Sequence, residues 1–290
     1  MRIVVVGAGT WGTAFTSVLR ARGHDVFIAV RATLDVAPYD EADLVVLAVP
    51  SHAFREALGH VRGSAPILSL VKGLDPDAGE RLSTLVHGRP VAVLSGPNMA
   101  EEVAEGLPSV AVIASEDDAL AATLQEAITS PVFRVYVQPD LIGVELCGAA
   151  KNVIALAAGG VDGLSLGDNA KAALITRGLV EMARLGEACG AEPETFSGLA
   201  GMGDLMVTCF HPTGRNRRAG EMIARGATPE AAKAAIGQVV EGLTTAPVLR
   251  DLSHRVGVEL PITEGVCAVL GGSPLHELAG SLMGRKATAE

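Results

Sequence analysis

The chain has 290 residues, 49% of them hydrophobic, and a formal net charge of −10. That length suits one large domain or two ordinary ones, and the apolar content supplies a sizeable core. The acidic balance argues against a general nucleic-acid or membrane-surface binder, while leaving room for a local cationic pocket that takes an anionic substrate. Aromatic residues make up only 3%, so the core must be mostly Ala, Val, Leu and Ile, which suits helices packed on a parallel sheet.

From the first residue to Gln138, β-branched runs alternate with amphipathic stretches. The expected strands are RIVVVG, DVFIAV, DLVVLAV, PILSLV, VAVLS, SVAVIAS and VFRVYV, with helical patterns such as TAFTSVLRARG and DDALAATLQEAIT between them. Short apolar strands alternating with helices predict a parallel, doubly wound, Rossmann-like sheet. The opening apolar run leads into a glycine turn rather than a cleavage site, so it reads as a first strand and not a signal peptide. After Asp140 the strand signal stops. LIGVELCGAAKNVIALAAGG is apolar nearly all round and reads as a buried central helix. DNAKAALITRGLVEMARLGEACG, TPEAAKAAIG, TTAPVLRDLSHRVG and SPLHELAGSLMGR continue the helical set. The expected organisation is an α/β dinucleotide-binding domain over residues 1–138 and an all-α domain over residues 139–290. No run reaches the length of a membrane span. Cys147, Cys189, Cys209 and Cys267 show neither a C-x-x-C pair nor zinc spacing, and read as four buried thiols in a reducing cytosol. A soluble cytoplasmic protein is expected.

GAGTWG, residues 7–12, follows the first strand and opens the first helix, the context that a G-x-G-x-x-G turn requires. Gly7 permits the tight turn, Gly9 admits a pyrophosphate to the backbone, and Gly12 lets helix and strand approach. A tight βα turn without a ligand is the plain alternative. The second strand of such units usually ends in an acid that binds the ribose 2′-hydroxyl of NAD; here Arg31 stands near that place, where a guanidinium suits the 2′-phosphate of NADP. An ordinary solvated Arg has the same appearance.

Ligands of doubly wound sheets sit beyond the carboxyl ends of the strands. AVPSH (48–52), VKGL (71–74) and SGPNMAEE (95–102) all follow such ends and should face one crevice, although each alone also reads as turn chemistry. Lysine is scarce: the chain has 18 Arg and 5 Lys. Lys151 lies in the apolar GAAKNVIAL, with no carboxylate at i±3 or i±4 on its own helix face. Its partner must come from elsewhere, and Asp204 in the glycine-rich GLAGMGDL is the candidate; a buried Lys–Asp pair would hold the amine and tune its pKa. The alternative is a lysine that snorkels to the surface. GRNRR, residues 214–218, is the densest cationic spot. Arg215, Asn216 and a helix N-terminus together make a plausible phosphate site, or else a solvated basic helix face.

Taken together these stretches resemble the NAD(P)-dependent sn-glycerol-3-phosphate dehydrogenases of bacterial type. The matching segments are GAGTWGTA, AVPSH, VKGL, SGPNMAEEVAEGLPS, ELCGAAKNVIALAAGGVDGLSLGDNAKAALITRG, GLAGMGDLMVTC, GRNRRAGEMIARG, VVEGLTTA and LPITEGV. The resemblance implies reversible reduction of dihydroxyacetone phosphate to sn-glycerol 3-phosphate, for glycerophospholipid synthesis, with NADP or, alternatively, NAD as the cofactor and hydride from its reduced form. It implies Lys151 as general acid/base, Lys72 as a second active-site lysine touching substrate and cofactor, and Asp204 beside the reacting groups. Gly96, Asn98, Arg215 and Asn216 match substrate-side positions. Gly7, Gly9, Thr10, Trp11, Gly12, Arg31, Ala100, Val239 and Glu241 match cofactor contacts, with Lys72 and Arg215 reaching the cofactor as well. No metal is implied, and a homodimer is.

The sequence departs from the family pattern at three places. Asn98 and Gly214 stand where Ser is usual. Only 11 residues separate Arg31 from the DLVVLAV strand, where the family usually has a few tens more, so a helix and strand near the adenosine end should be missing or shortened. Two rival readings are a β-hydroxyacid or ketoacid dehydrogenase of the same architecture and a non-catalytic NAD(P) sensor.

Overall fold

The computed structural model describes residues 1–275. All seven expected strands form: β1 (Arg2–Val6), β2 (Asp25–Ala29), β3 (Leu44–Leu47), β4 (Ile67–Ser69), β5 (Val91–Ser95), β6 (Ser109–Ser115) and β7 (Phe133–Gln138). They make one sheet in the order β2-β1-β3-β4-β5-β6-β7. Helices α1 (Thr10–Ala21), α2 (Phe54–His60), α3 (Ala100–Ala104) and α4 (Asp118–Ile128) are interleaved with them. β1 to β5 run parallel, but β6 is antiparallel to β5, and β7 is parallel to β6. The wholly parallel expectation therefore fails at one pair. A parallel neighbour needs a crossover that carries the chain back along the sheet. The five residues of α3 rise only about 7.5 Å, too little to do so.

Between β2 and β3 the chain makes only two 3₁₀ turns, Arg31–Val36 and Tyr39–Glu41. The usual doubly wound order carries a further strand outside β2; here β2 is the edge, as the short spacing after Arg31 predicts. The shortened connection is pinned by buried Tyr39 and by Asp35, which meets His60 at 2.7 Å and accepts at its backbone oxygen from Arg62 at 2.6 Å.

The helical half follows β7: α5 (Leu141–Gly163), α6 (Gly167–Ala188), α7 (Pro193–Ser197), a π turn over Leu199–Gly203 leading into α8 (Asp204–Phe210), then α9 (Arg215–Ala224), α10 (Pro229–Ile236), α11 (Glu241–Val256) and α12 (Pro261–Leu270). The SPLHELAGSLMGR helix expected from the sequence lies mostly outside the described residues. α5 is the axis of this half. Asp140 caps it, accepting from Gly143 N at 2.8 Å. Its 23 residues are long and apolar enough to cross a membrane by length and composition, contrary to the sequence-based expectation, yet 89% of the apolar window is buried inside the protein. It packs against α6, α8, α9 and α11, and against β5 of the sheet. One core fills each face of the sheet, around Phe15, Leu19 and Leu124 on one side and Tyr39, Phe54 and Leu82 on the other. A third surrounds α5 and reaches Val93 and Val112 of the sheet.

Of the four thiols expected to be buried, Cys147 and Cys209 are so, while Cys189 and Cys267 are half-buried; all four are free. Burial pushes the Cys209 thiol up to about 12, which keeps it protonated and chemically quiet.

Candidate active site

The strand order reverses between β1 and β3, so the crevice opens beyond their carboxyl ends. Gly7 has φ +113°, a conformation that L side chains rarely adopt, and a Cβ there would collide with the Ala48 carbonyl. Gly12 stands against the Gly7 carbonyl and 3.0 Å from the Ala48 side chain if a Cβ is added. At Gly9 an added Cβ meets nothing within 4 Å. Gly9 is the N-cap of α1; no side chain caps the helix and no acid occupies its first turn. The first N–H groups of α1 thus face an open cradle, which fits a pyrophosphate. Beside it, Trp11 Nε1 is buried without a hydrogen-bond partner among the described residues. Arg31 begins the first 3₁₀ turn after β2, points largely into solvent and meets Glu56 at 3.4 Å.

Lys72, beyond the end of β4, donates from Nζ to Gly96 O at 3.0 Å and to Asp204 Oδ2 at 2.7 Å. Gly96 holds φ +125° at the end of β5, which turns its carbonyl toward the lysine. Lys151, near the middle of α5, donates to the other oxygen of Asp204 and to Thr208 Oγ1 at 2.9 Å. Asp204 and Thr208 are one turn apart at the start of α8 and share a helix face. The Thr208 hydroxyl in turn donates to Asp204 O at 2.7 Å. Gly148, on the same face of α5 as Lys151, leaves room for the Lys72 stem, which would lie 3.4 Å from a Cβ there.

One buried carboxylate therefore serves two amines. Burial alone would raise the Asp204 pKa, but the Lys151 and Lys72 ammonium groups outweigh it and hold the carboxyl below its usual range. For Lys151 burial is the largest influence and lowers its pKa from 10.5 to about 7; Asp204 opposes this and Lys72 adds to it. The Lys151 side chain is 7% exposed against 17% for Lys72, so it is the amine that solvation helps least. A group poised near neutrality in a cleft can give and take a proton at physiological pH.

A hydrogen-bonded chain extends from this pair. Asn152 Nδ2 donates to Lys72 O at 3.0 Å, Asn216 Nδ2 donates to Asn152 Oδ1 at 2.8 Å, and Gly242 N donates to Asn216 Oδ1 at 2.9 Å. Next to Gly242, the Glu241 carboxylate accepts from Ser51 N at 3.0 Å and from Ser51 Oγ at 2.6 Å. Gly73 closes the circuit: a Cβ there would stand 2.7 Å from the Ser51 side chain. The chain links the turns after β3 and β4 to α5, α9 and α11.

Lys72, Lys151, Asp204 and Gly96 thus meet directly, and Asn216 reaches them through Asn152. Arg215 is exposed on the first turn of α9, and its side chain makes no hydrogen bond or ion pair among the described residues. Asn98 is not in the lysine cluster: its Nδ2 donates to Val110 O at 2.6 Å, and its buried Oδ1 has no partner among the described residues. Ala100 begins α3, Thr10 begins α1, and half-buried Val239 precedes α11. Glu241, expected as a cofactor contact, has both oxygens engaged by Ser51. Thr208, Asn152 and Ser51 were not singled out from sequence. The four-residue spacing from Asp204 signals Thr208; nothing local signals the other two, whose partners lie 80 and 190 positions away.

A glycine cradle at the switch point of a doubly wound sheet, with two amines sharing one carboxylate where that sheet meets a helical C-terminal region, defines a nucleotide-dependent oxidoreductase. Residues 29–121 match the N-terminal model, and residues 140–278 the C-terminal model, of NAD-dependent glycerol-3-phosphate dehydrogenase. A glycerol-3-phosphate dehydrogenase [NAD(P)+] of Moorella thermoacetica is 42% identical over 99% of this chain and 97% of that protein. The crystal structure of glycerol-3-phosphate dehydrogenase from Coxiella burnetii superposes with TM-score 0.92 at 35% identity, covering 98% of this chain and 99% of that one. A ketopantoate reductase of Ralstonia eutropha shares the fold alone, with TM-score 0.59 at 17% identity over 96% of this chain and all of that one. The chain belongs to the NAD-dependent glycerol-3-phosphate dehydrogenase family.

Proposed function

We propose that the protein reduces dihydroxyacetone phosphate to sn-glycerol 3-phosphate, reversibly, with NADPH preferred and NADH accepted, and so supplies the backbone of glycerophospholipids. The observation that carries this is the sharing of buried Asp204 by Lys72 and Lys151. The glycine turn Gly7, Gly9, Gly12 and the first N–H groups of α1 at Thr10 and Trp11 hold the pyrophosphate, Ala100 and Val239 line the cofactor's path, and Arg31 takes the 2′-phosphate. Glu241 acts on that side by fixing the Ser51 turn. When bound, the nicotinamide supplies the hydride.

Lys151 holds the proton that the substrate's carbonyl oxygen must gain. As the carbon is reduced, negative charge grows on that oxygen, and the Lys151 ammonium stabilises it and then transfers its proton. In the opposite direction the neutral amine takes the hydroxyl proton. Asp204 keeps the amine aimed, Thr208 fixes it from a second side, and Lys72 adds positive charge while bracing the Gly96 turn. Gly96 and Asn98 border the substrate, and Arg215, Asn216 and the start of α9 receive its phosphate. The reading includes a cytoplasmic homodimer, whose mass light scattering would read.

The test is consumption of reduced nicotinamide by the purified protein with dihydroxyacetone phosphate and, separately, with an α-ketoacid such as ketopantoate. Turnover is expected with the phosphorylated triose. Turnover with the ketoacid alone overturns the reading, and cofactor binding without turnover of either would make the protein a sensor.

A further inference from the structure

Below the proposed phosphate site lies a charge node to which the chemistry above gives no task. Asp162, near the end of α5, accepts from Lys171 Nζ of α6 at 2.8 and 3.1 Å and from Arg217 Nε of α9 at 2.6 Å. Lys171 is 5% exposed, and its ammonium also lies 4.9 Å above the ring of Phe210, the last residue of α8. The Arg217 guanidinium continues to Pro212 O at 3.3 Å, in the turn that enters α9. One carboxylate thereby joins four segments: the end of α5, α6, the end of α8 and the first turn of α9. The backbones beneath are in contact. A Cβ on Gly159 would strike the Arg217 carbonyl, one on Gly220 the Leu156 carbonyl, and one on Gly163 would lie 2.6 Å from Ala224. The glycines set how close α9 comes to α5; Asp162 sets how its first turn is held once there.

That first turn carries Arg215 and Asn216, and α5 carries Lys151. The spacing between the phosphate-binding groups and the proton-transferring amine is therefore the spacing between two helices clamped at this node. We propose that Asp162 is a positioning residue for substrate phosphate: through Arg217 and Pro212 it fixes the α9 entry so that a phosphorylated triose reaches Arg215 and Asn216 while its carbonyl meets Lys151. This rests on the proposed function above.

Charge and position make opposite predictions here. Removing an anion near a phosphate site strengthens phosphate binding on electrostatic grounds alone, whereas releasing the clamp weakens it by misplacing the groups that bind. Steady-state kinetics of the full chain with dihydroxyacetone phosphate and with unphosphorylated dihydroxyacetone separate the two. In Asp162→Asn we expect KM for the phosphorylated triose to rise ~10-fold, with kcat little changed and kcat/KM for unphosphorylated dihydroxyacetone unmoved. Asp162→Glu keeps the charge but shifts Arg217 by a methylene, and should raise the same KM to a lesser extent. An equal loss on both trioses, a lowered KM in Asp162→Asn, or an unchanged KM in both variants would overturn the proposal. A wild-type protein that treats the two trioses alike, or turns over neither, would instead sink the functional reading beneath it.

Discussion

Lys151 and Asp204 stand 53 positions apart in the chain and on different helices, yet form a direct, buried ion pair. The second carboxylate oxygen belongs to Lys72. With Lys151 protonated this cluster holds one more cation than anion, and that surplus is what an anionic substrate and a developing oxyanion would complete.

Substituting Lys151 by Met should abolish the proton transfer and little else. Turnover is expected to fall ~10³-fold, the scale of general acid/base assistance, while NADPH affinity by fluorescence titration stays within about twofold, since no cofactor phosphate contact is touched. Near-normal rates would refute the assigned role.

The lowered Lys151 pKa, about 7, sets opposite pH profiles for the two directions. Reduction needs the ammonium, so its kcat/KM should fall as pH rises through about 7. Oxidation needs the free amine and should rise over the same interval. Profiles that run in parallel would point to a different titrating group.

Stability should respond asymmetrically within the cluster. Asp204→Asn strands buried Lys151 and half-buried Lys72 without their anion, and a loss of about 3–5 kcal/mol in denaturant unfolding is expected. Lys151→Met leaves the Asp204–Lys72 pair balanced and removes an amine that burial already disfavours, so its midpoint should hold or rise. A Lys151→Met protein less stable than Asp204→Asn would contradict this balance of charges.

Arg31 is solvated and only loosely paired with Glu56. Arg31→Ala should weaken NADPH ~10-fold, the weight of one charge-assisted hydrogen bond, and leave NADH unchanged. Equal effects on both cofactors, in parallel titrations, would remove the 2′-phosphate from its vicinity.

Gly220→Ala places a methyl against the Leu156 carbonyl at the α5–α9 crossing. Overpacking of this kind costs about 1–3 kcal/mol, measurable as a lowered melting temperature; a neutral substitution would show that the crossing has slack.

Much of this was legible in the chain itself, because the signals are local. Short β-branched apolar runs marked seven strands, GAGTWG marked a turn whose Gly7 only glycine allows, and the 11 residues after Arg31 foretold an edge at β2. A lysine without a carboxylate on its own helix face announced that it needed a distant partner. The antiparallel β5–β6 pair was not legible, because direction depends on whether α3 can span the sheet. Nor were Ser51 opposite Glu241, Asn152 between Lys72 and Asn216, or Asp162 beneath Arg217. Residue type, spacing and helix face are written along the chain and determined the elements, the glycine turn and the need of Lys151 for a distant partner. Which carboxylate Lys151 meets, how far its pKa falls and which asparagines brace the site were decided only when the sheet and the helices after it packed, since desolvation and hydrogen-bond geometry exist between segments and not within them.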